Sequence, residues 1–420
     1  MIEAQVRKSQ EIVRNPRFGL RSTDIVIGFV LLMFLGDAAN TIILKTYNQP
    51  LRISIIIRGI ALLFFIAILL RRRTGQQVFG FILLLLLIFL IGATSEILKG
   101  NNFEWFENFN LFFKLVFVFV CWEILRNVFS SSYHQSRLFK VFEILILLEA
   151  TTIILGFVFK LDTFSSYGQD YRFGYKGLIP AQNEVSGFFI IAVFYFLWKV
   201  VTQHKGIAQL LIVLLAGLLT GAKVALIFPL VLLVYFIIWT RGFLSRRVFW
   251  FLCVFFLVII PTVVLNLDYL KERLNPTFQY FSYQLSAGNN PNLFSLFMSG
   301  RDLYIQNSIQ QIFSNKGIPN FLFGGHNLTV TSTETDFIDV FLFIGSTGLI
   351  IFYLFYLKIL LSPRNGVVNK HRLIFTMVWI GVSSVAGHLV FSAINSMYLA
   401  ILLLAFTGYH PEENQEGGLE

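Results

Sequence analysis

A chain of 420 residues that is 56% hydrophobic and only 13% charged, with a mean hydropathy of +0.72, has too little polar surface to cover a water-soluble globule, so a polytopic membrane protein is expected. The two cysteines, Cys121 and Cys253, both lie in apolar runs, which excludes a disulfide framework or a cysteine metal site, and the six histidines include no HxxxH pair that would suggest a metal site. The net charge of +10 comes without the basic face interleaved with aromatics that nucleic-acid binding needs.

Apolar runs long enough to approach or cross a bilayer core fall near 24–44, 52–70, 77–98, 109–126, 139–159, 184–202, 206–221, 223–240, 247–266, 337–361, 373–391 and 393–408. The expected fold is therefore all-α and polytopic, with about 12 transmembrane helices. The first run follows a basic N-terminus, yet it is too long for a signal peptide and has no A-x-A site before Lys45, so it is taken as an uncleaved span.

Lys and Arg set the orientation. With the N-terminus inside, 20 of the 33 fall in cytoplasmic segments, 11 fall outside, and Arg58 and Lys114 lie within spans, as the positive-inside rule requires. Both termini are then cytoplasmic. Residues 1–265 hold the first nine spans, 266–336 form one large outer loop, 337–408 hold the last three spans, and 409–420 are an acidic tail.

Along this map, "DYRFGYKGLIPAQNEVSGFF" (170–189) places Arg172 and Lys176 just outside the sixth span, with Asn183 and Glu184 at its outer end. "LLTGAKVAL" breaks the long run 206–240, Gly221 ending one helix and Lys223 opening the next. In the outer loop, "RDLYIQNSIQQIF" has apolar residues at helical spacing. It is expected to form a short amphipathic helix, either on the membrane surface or packed in a small outer domain. Arg301 stands at its start.

Several cations at one outer rim suit a ligand with an anionic head and an apolar tail, because Arg matches phosphate oxygens bidentately and Lys acts as a point charge. The competing explanation is ordinary contact with lipid headgroups. The stretch "GGHNLTVTSTETDFIDVFLFIGSTGLI" (324–350) offers His326, Glu334 and Asp336 as candidate bases for a sugar hydroxyl. Asp339 is expected on the same face as Asp336. Helix capping would explain the carboxylates equally well. Within the spans, depth suggests the pairs Asp37–Arg58 and Glu96–Lys114, and leaves Glu149 and His388 without an evident partner.

These elements resemble, in order, the motifs of the O-antigen polymerase and O-antigen ligase family. "YRFGYKGLIPAQNE" is similar to its R-F-x-G…P-N segment and "LLTGAKVALI" to its Ser-Gly-Ser-Arg turn, with Lys223 at the Arg position. "SGRDLYIQNSI" is similar to its G-R-x-x-[LW]-[YW] element, and "GSTGLI" to its G-x-x-G. The resemblance covers about 170–355 together with the span count. It implies a GT-C-like helical membrane fold and a metal-independent glycosyltransferase that uses an undecaprenyl-diphosphate-linked oligosaccharide at the outer leaflet of a bacterial inner membrane, without a cofactor.

The resemblance further implies that Arg172, Lys223 and Arg301 hold the donor diphosphate, joined by Lys176 from the same rim. Asn183, Glu184 and Tyr304 are expected to contact sugar, and Glu334, Asp336 or His326 to serve as base. Ligases of the family place a His-Asn pair about a dozen residues before G-x-x-G, whereas His326-Asn327 stands 19 residues before Gly345. That departure favours a repeat-unit polymerase of an O-antigen, capsule or exopolysaccharide over a ligase. A flippase of lipid-linked oligosaccharide is the rival from another class, although the sequence shows no two-fold hydropathy repeat. The expected partners are the lipid-linked oligosaccharide, the bilayer and a chain-length regulator, with no nucleic acid.

Overall fold

The computed structural model describes residues 16–47, 52–72, 74–100, 103–166, 173–239, 301–311, 317–362 and 369–407, with single positions 275, 279 and 282. Its helices are α1 (Pro16–Tyr47), α2 (Ile53–Arg71), α3 (Gln76–Leu98), α4 (Trp105–Val128), α5 (Ser132–Val158), α6 (Gln182–Gln203), α7 (Ile207–Leu219), α8 (Ile227–Trp239), α9 (Arg301–Gln311), α10 (Gly317–Phe323), α11 (Leu328–Thr331), α12 (Asp336–Leu360), α13 (Lys370–Ala386) and α14 (Ala393–Phe406). No named strand occurs among the described residues, only an isolated bridge between Ser165 and Tyr175.

Among the described residues, six helices are long and apolar enough to cross a membrane: Ser22–Tyr47 of α1, then α2, α3, α5, α6 and α12. Each apolar run expected as a span overlaps a helix except 247–266, which lies outside the described residues, and the run 373–391 is helical only to Ala386. Not all of these helices have spanning length. At 1.5 Å per residue, the 13 residues of α7 and of α8 reach about 20 Å and the 14 of α14 about 21 Å, short of a hydrocarbon core of about 30 Å. Of residues 266–336, expected to form a large outer loop, the structure describes α9 to α11, the approach to α12 and the single positions 275, 279 and 282. Of the segment expected to form a short amphipathic helix, Arg301–Gln311 is helical as α9, with Leu303 and Tyr304 exposed.

Lipid-facing and interior helices separate by burial. Large apolar side chains such as Leu35, Leu63, Leu83, Ile144 and Leu354 are exposed on α1, α2, α3, α5 and α12, as side chains facing lipid rather than water can be. By contrast, every residue of α14 is buried, which is the pattern of a helix enclosed on all sides. It packs chiefly against α4 and α6, whose middle turns are buried as well. Its C-terminal end is fixed by Arg372, 1% exposed, which donates to the carbonyls of Leu403 at 2.7 Å and Ser362 at 2.6 Å. A cation there satisfies carbonyls that helix ends leave open.

The same contacts fix which helix ends lie together. The start of α13 meets the end of α14, with His371 stacked on Phe406, so these two helices run antiparallel and the 387–392 connection lies at the opposite end. That opposite end also carries the junctions α1–α2, α3–α4, α5–α6 and α7–α8. On the charge map it is the outer end.

Candidate functional site: a polar junction at one end of the bundle

Three connecting segments enter the bundle at that end. The first follows α5. Lys176 N–H bonds the carbonyl of Phe164 at 2.8 Å, and Tyr175 N–H that of Leu219 at 3.1 Å. Glu149 then receives the N–H groups of Leu178 and Ile179, at 3.0 and 3.4 Å. Glu149 lies nine residues before the end of α5, so the segment descends by about 13 Å. This supplies the partner that the sequence left open for Glu149.

Replacing one carboxylate oxygen by an amide that itself donates should cost about 1–3 kcal/mol. Glu149→Gln is therefore expected to release residues 173–181 and increase their cleavage by protease added to the purified protein; unchanged protection would contradict the anchoring role.

The second segment is 317–335. The Asn320 amide donates to the carboxylate of Glu96 and to the carbonyl of Gly324. The expected Glu96–Lys114 pair is thus replaced, because the loop brings an amide to Glu96. At Gly345 the helix α12 leaves helical geometry, and the carbonyls just before it, Phe343 and Leu342, accept from Gly325 N–H at 3.0 Å and His326 N–H at 3.1 Å. Gly325 (φ 94°) lies so close to α3 that a Cβ would stand 2.2 Å from the Gly92 carbonyl oxygen. A side chain cannot enter that contact. Gly325→Val is expected to prevent this segment from seating and to abolish any activity that depends on it; wild-type thermal stability in the purified variant would contradict this.

The third segment, 387–392, corrects the expectation of a span reaching residue 391: the helix ends at Ala386. Gly387 (φ 58°) packs against Glu334, where a Cβ would lie 1.9 Å from the carbonyl oxygen. Asp336, fully buried, accepts the N–H groups of Leu389 and Val390 at 3.0 Å each, replacing the bonds a continuing helix would make. Asp339 is occupied likewise, by the N–H of Thr333 at 2.7 Å and the hydroxyls of Ser332 and Thr333 at 2.8 Å. The N-cap of α12 is Thr335, with no side-chain cap bond, so these carboxylates tie loops rather than cap the helix. His388 meets Ser332 Oγ at 3.4 Å.

Above this segment lies an ion pair. Arg301 Nε and Nη2 donate to Glu334 Oε2 at 3.1 and 2.9 Å, and Nη1 to the Val385 carbonyl at 2.6 Å. The Glu334 side chain is 51% exposed. Glu334 (φ 55°) and His388 (φ 61°) are two non-glycine residues in left-handed backbone, a conformation that costs energy and clusters at functional sites. Both belong to this one junction.

The other site residues read from the sequence are placed as follows. Arg172 lies outside the described residues. Lys176 is buried, its ammonium donating to the Pro180 carbonyl at 2.6 Å; burial and then the neighbouring charge of Lys45 hold its pKa below the usual lysine range. Lys223 opens the 3₁₀ turn Lys223–Leu226, while Asn183 is half-buried at the start of α6. Glu184 is buried and accepts from Ser392 Oγ at 3.0 Å. Tyr304 is exposed on α9, and His326 is buried. Arg301 and Glu334 are thus in direct contact, whereas Lys176 is engaged within the first segment.

Beneath the junction, Asp37 and Arg58 form the expected pair, with Nη2 at 2.7 Å from both carboxylate oxygens. Lys114 on α4 feels the charges of Glu184, Arg58 and Asp37.

Sequence reasoning missed the 387–392 segment. The signal was present: runs at 373–391 and 393–408 leave one residue between them, too few for a turn between helices. Among the described residues, no group of three or more His, Cys, Asp or Glu is arranged to hold a metal ion. The chain matches no family model, curated protein or solved structure.

Proposed function

We propose that this chain is a polysaccharide polymerase of a bacterial inner membrane, with twelve spans and cytoplasmic termini. It would transfer a growing glycan from undecaprenyl diphosphate to the end of a lipid-linked repeat unit at the outer leaflet. The observation that carries the reading is the Arg301–Glu334 pair, an exposed carboxylate bound to a guanidinium over the 387–392 segment.

Of the three candidate bases, Glu334 alone is exposed; Asp336 and His326 are buried. A diphosphate entering the rim competes with Glu334 for the Arg301 fork, which releases the carboxylate beside the bound donor. Glu334 then accepts the proton of the acceptor hydroxyl as its oxygen bonds the anomeric carbon. The bond from that carbon to the diphosphate breaks, and undecaprenyl diphosphate leaves with its negative charge stabilised by Arg301. On this reading Arg172 and Lys223 supply further positive charge to the donor and Asn183 and Tyr304 contact sugar, whereas Lys176 and Glu184, buried and bonded to the Pro180 carbonyl and to Ser392, hold the surrounding segments. A chain-length regulator would act on this reaction from outside the site.

The flippase reading draws on a different observation, the charges within the spans and the interrupted helices α7–α8 and α13–α14. Deleting the gene in its host separates the alternatives. A polymerase leaves single repeat units on the lipid carrier at the outer leaflet, with no polymer. A flippase leaves them at the cytoplasmic leaflet, and a ligase leaves long chains still attached to the carrier. Either of the last two outcomes would overturn the proposal.

A further inference from the structure

The side of α3 that faces α10 is not flush with it. A groove of about 520 Å³ runs between the two helices, with Pro319 of α10 on one side and Leu90, Ile91, Thr94, Ser95, Leu98 and Lys99 of α3 on the other. The α3 residues form two rows at spacings of four, 90–94–98 and 91–95–99, so the groove follows the helix axis. Lys99 stands nine positions after Leu90, about 13 Å along that axis. This is close to half of a hydrocarbon core of about 30 Å, the depth of one leaflet.

The groove is apolar at depth and cationic at its mouth. Thr94 spends its hydroxyl hydrogen within α3, on the Leu90 carbonyl at 2.8 Å. At the mouth, Ser95 donates to Asn320 Oδ1 at 3.2 Å, and the Lys99 ammonium donates to the same oxygen. An ammonium has three donors, and Lys99, exposed at the C-cap of α3, has room for another acceptor while keeping Asn320. The surroundings are those of lipid: Leu98, Ile318, Phe321 and Leu322 are exposed beside the groove, as large apolar side chains against acyl chains are. Trp105 and Phe106, exposed just beyond the turn that follows α3, are the aromatic type that sits at headgroup level.

We propose that this groove binds an anionic phospholipid of the surrounding bilayer, with one acyl chain along α3 and the headgroup phosphate on Lys99. A soluble anion would leave the apolar walls bare, and a lipid of no net charge gains less from the ammonium. The length of the groove fits a chain that ends at the bilayer midplane, which a much longer polyprenyl chain would overrun. The lipid lies across the contact between α3 and α10, where the Asn320 amide also donates to Glu96, and so helps to hold the 317–335 segment in its seat. The proposal does not rest on the polymerase reading.

The test uses the purified full-length protein in nanodiscs of phosphatidylcholine, with or without phosphatidylglycerol, and native mass spectrometry to identify the lipid retained on release. One phosphatidylglycerol should be retained in preference to phosphatidylcholine by about fivefold, the effect of one lysine near an anionic lipid. Lys99→Met should remove that preference and Lys99→Arg should keep it. Ile91→Trp fills the groove from an exposed position without touching the partners of Asn320; it should prevent retention, and it serves if Lys99→Met does not fold. Phosphatidylglycerol should also slow protease cleavage within 317–335 in the wild type but not in Ile91→Trp, which a purely structural role for Lys99 would not produce. Equal retention of the two phospholipids, or wild-type preference in both Lys99→Met and Ile91→Trp, overturns the proposal. So does displacement of phosphatidylglycerol by added undecaprenyl phosphate, which would assign the groove to a polyprenyl carrier. Because no glycan is present, failure here leaves the polymerase proposal standing, and an inactive Glu334→Gln that still retains phosphatidylglycerol leaves this one standing.

Discussion

Arg301→Ala is expected to abolish polymer and leave single lipid-linked repeats, a loss in turnover of about a hundred- to a thousandfold, the usual cost of removing one group that stabilises charge developing in a transition state. Three donors of this side chain are committed in the structure, two to Glu334 and one to the Val385 carbonyl. The substitution therefore also loosens the rim, and stability must be read beside activity. Arg301→Lys separates the two roles: it keeps the charge but cannot bridge Glu334 and Val385 with a planar fork. On the proposed mechanism it should remain strongly impaired in turnover, with a smaller rise in KM. Glu334→Gln should be inactive while still binding donor, because an amide cannot take the acceptor's proton. Full polymer from both Arg301→Ala and Glu334→Gln would refute the assignment of the site.

The second large effect concerns the fold. The Asp37–Arg58 pair joins α1 to α2 with both side chains nine-tenths buried or more. Removing one member leaves an uncompensated charge inside the membrane protein, and breaking a buried pair in this way costs about 3–5 kcal/mol. Asp37→Ala should accordingly lower the thermal stability of the purified protein sharply. Replacing both residues by leucine removes the stranded charge as well as the pair, so the double variant should recover most of the loss. Additive losses in the double variant would show that each residue is held by something other than its partner.

How far these features could be read in advance depends on what kind of partner each residue has. The apolar runs were legible because a bilayer demands long uninterrupted hydrophobic stretches, and Gly221 marked the break between α7 and α8 because a helix end needs a residue that tolerates its backbone. Asp37 and Arg58 were legible because two opposite charges at one depth have few alternatives. Glu149 was not, since its partners are the backbone N–H groups of Leu178 and Ile179, and backbone donors leave no trace in side-chain chemistry. Glu96 was assigned to Lys114 on depth alone; its actual partner, Asn320, arrives from a loop more than two hundred residues later. The segment 387–392 was hidden by Leu389, Val390 and Phe391, which carry the hydropathy of a helix while their backbone is held by Asp336. The pairing of Arg301 with Glu334 joins residues 33 apart, too far for any local spacing to relate them, so each suggested a role but neither suggested the other.

The proposed activity is glycan transfer at the outer face. The decisive measurement supplies a lipid-diphosphate-linked repeat unit to the purified protein in proteoliposomes and follows glycan length with time. A ladder of lengthening chains with release of undecaprenyl diphosphate, lost in Glu334→Gln, is the predicted result. Repeat units that cross the bilayer without lengthening would contradict it.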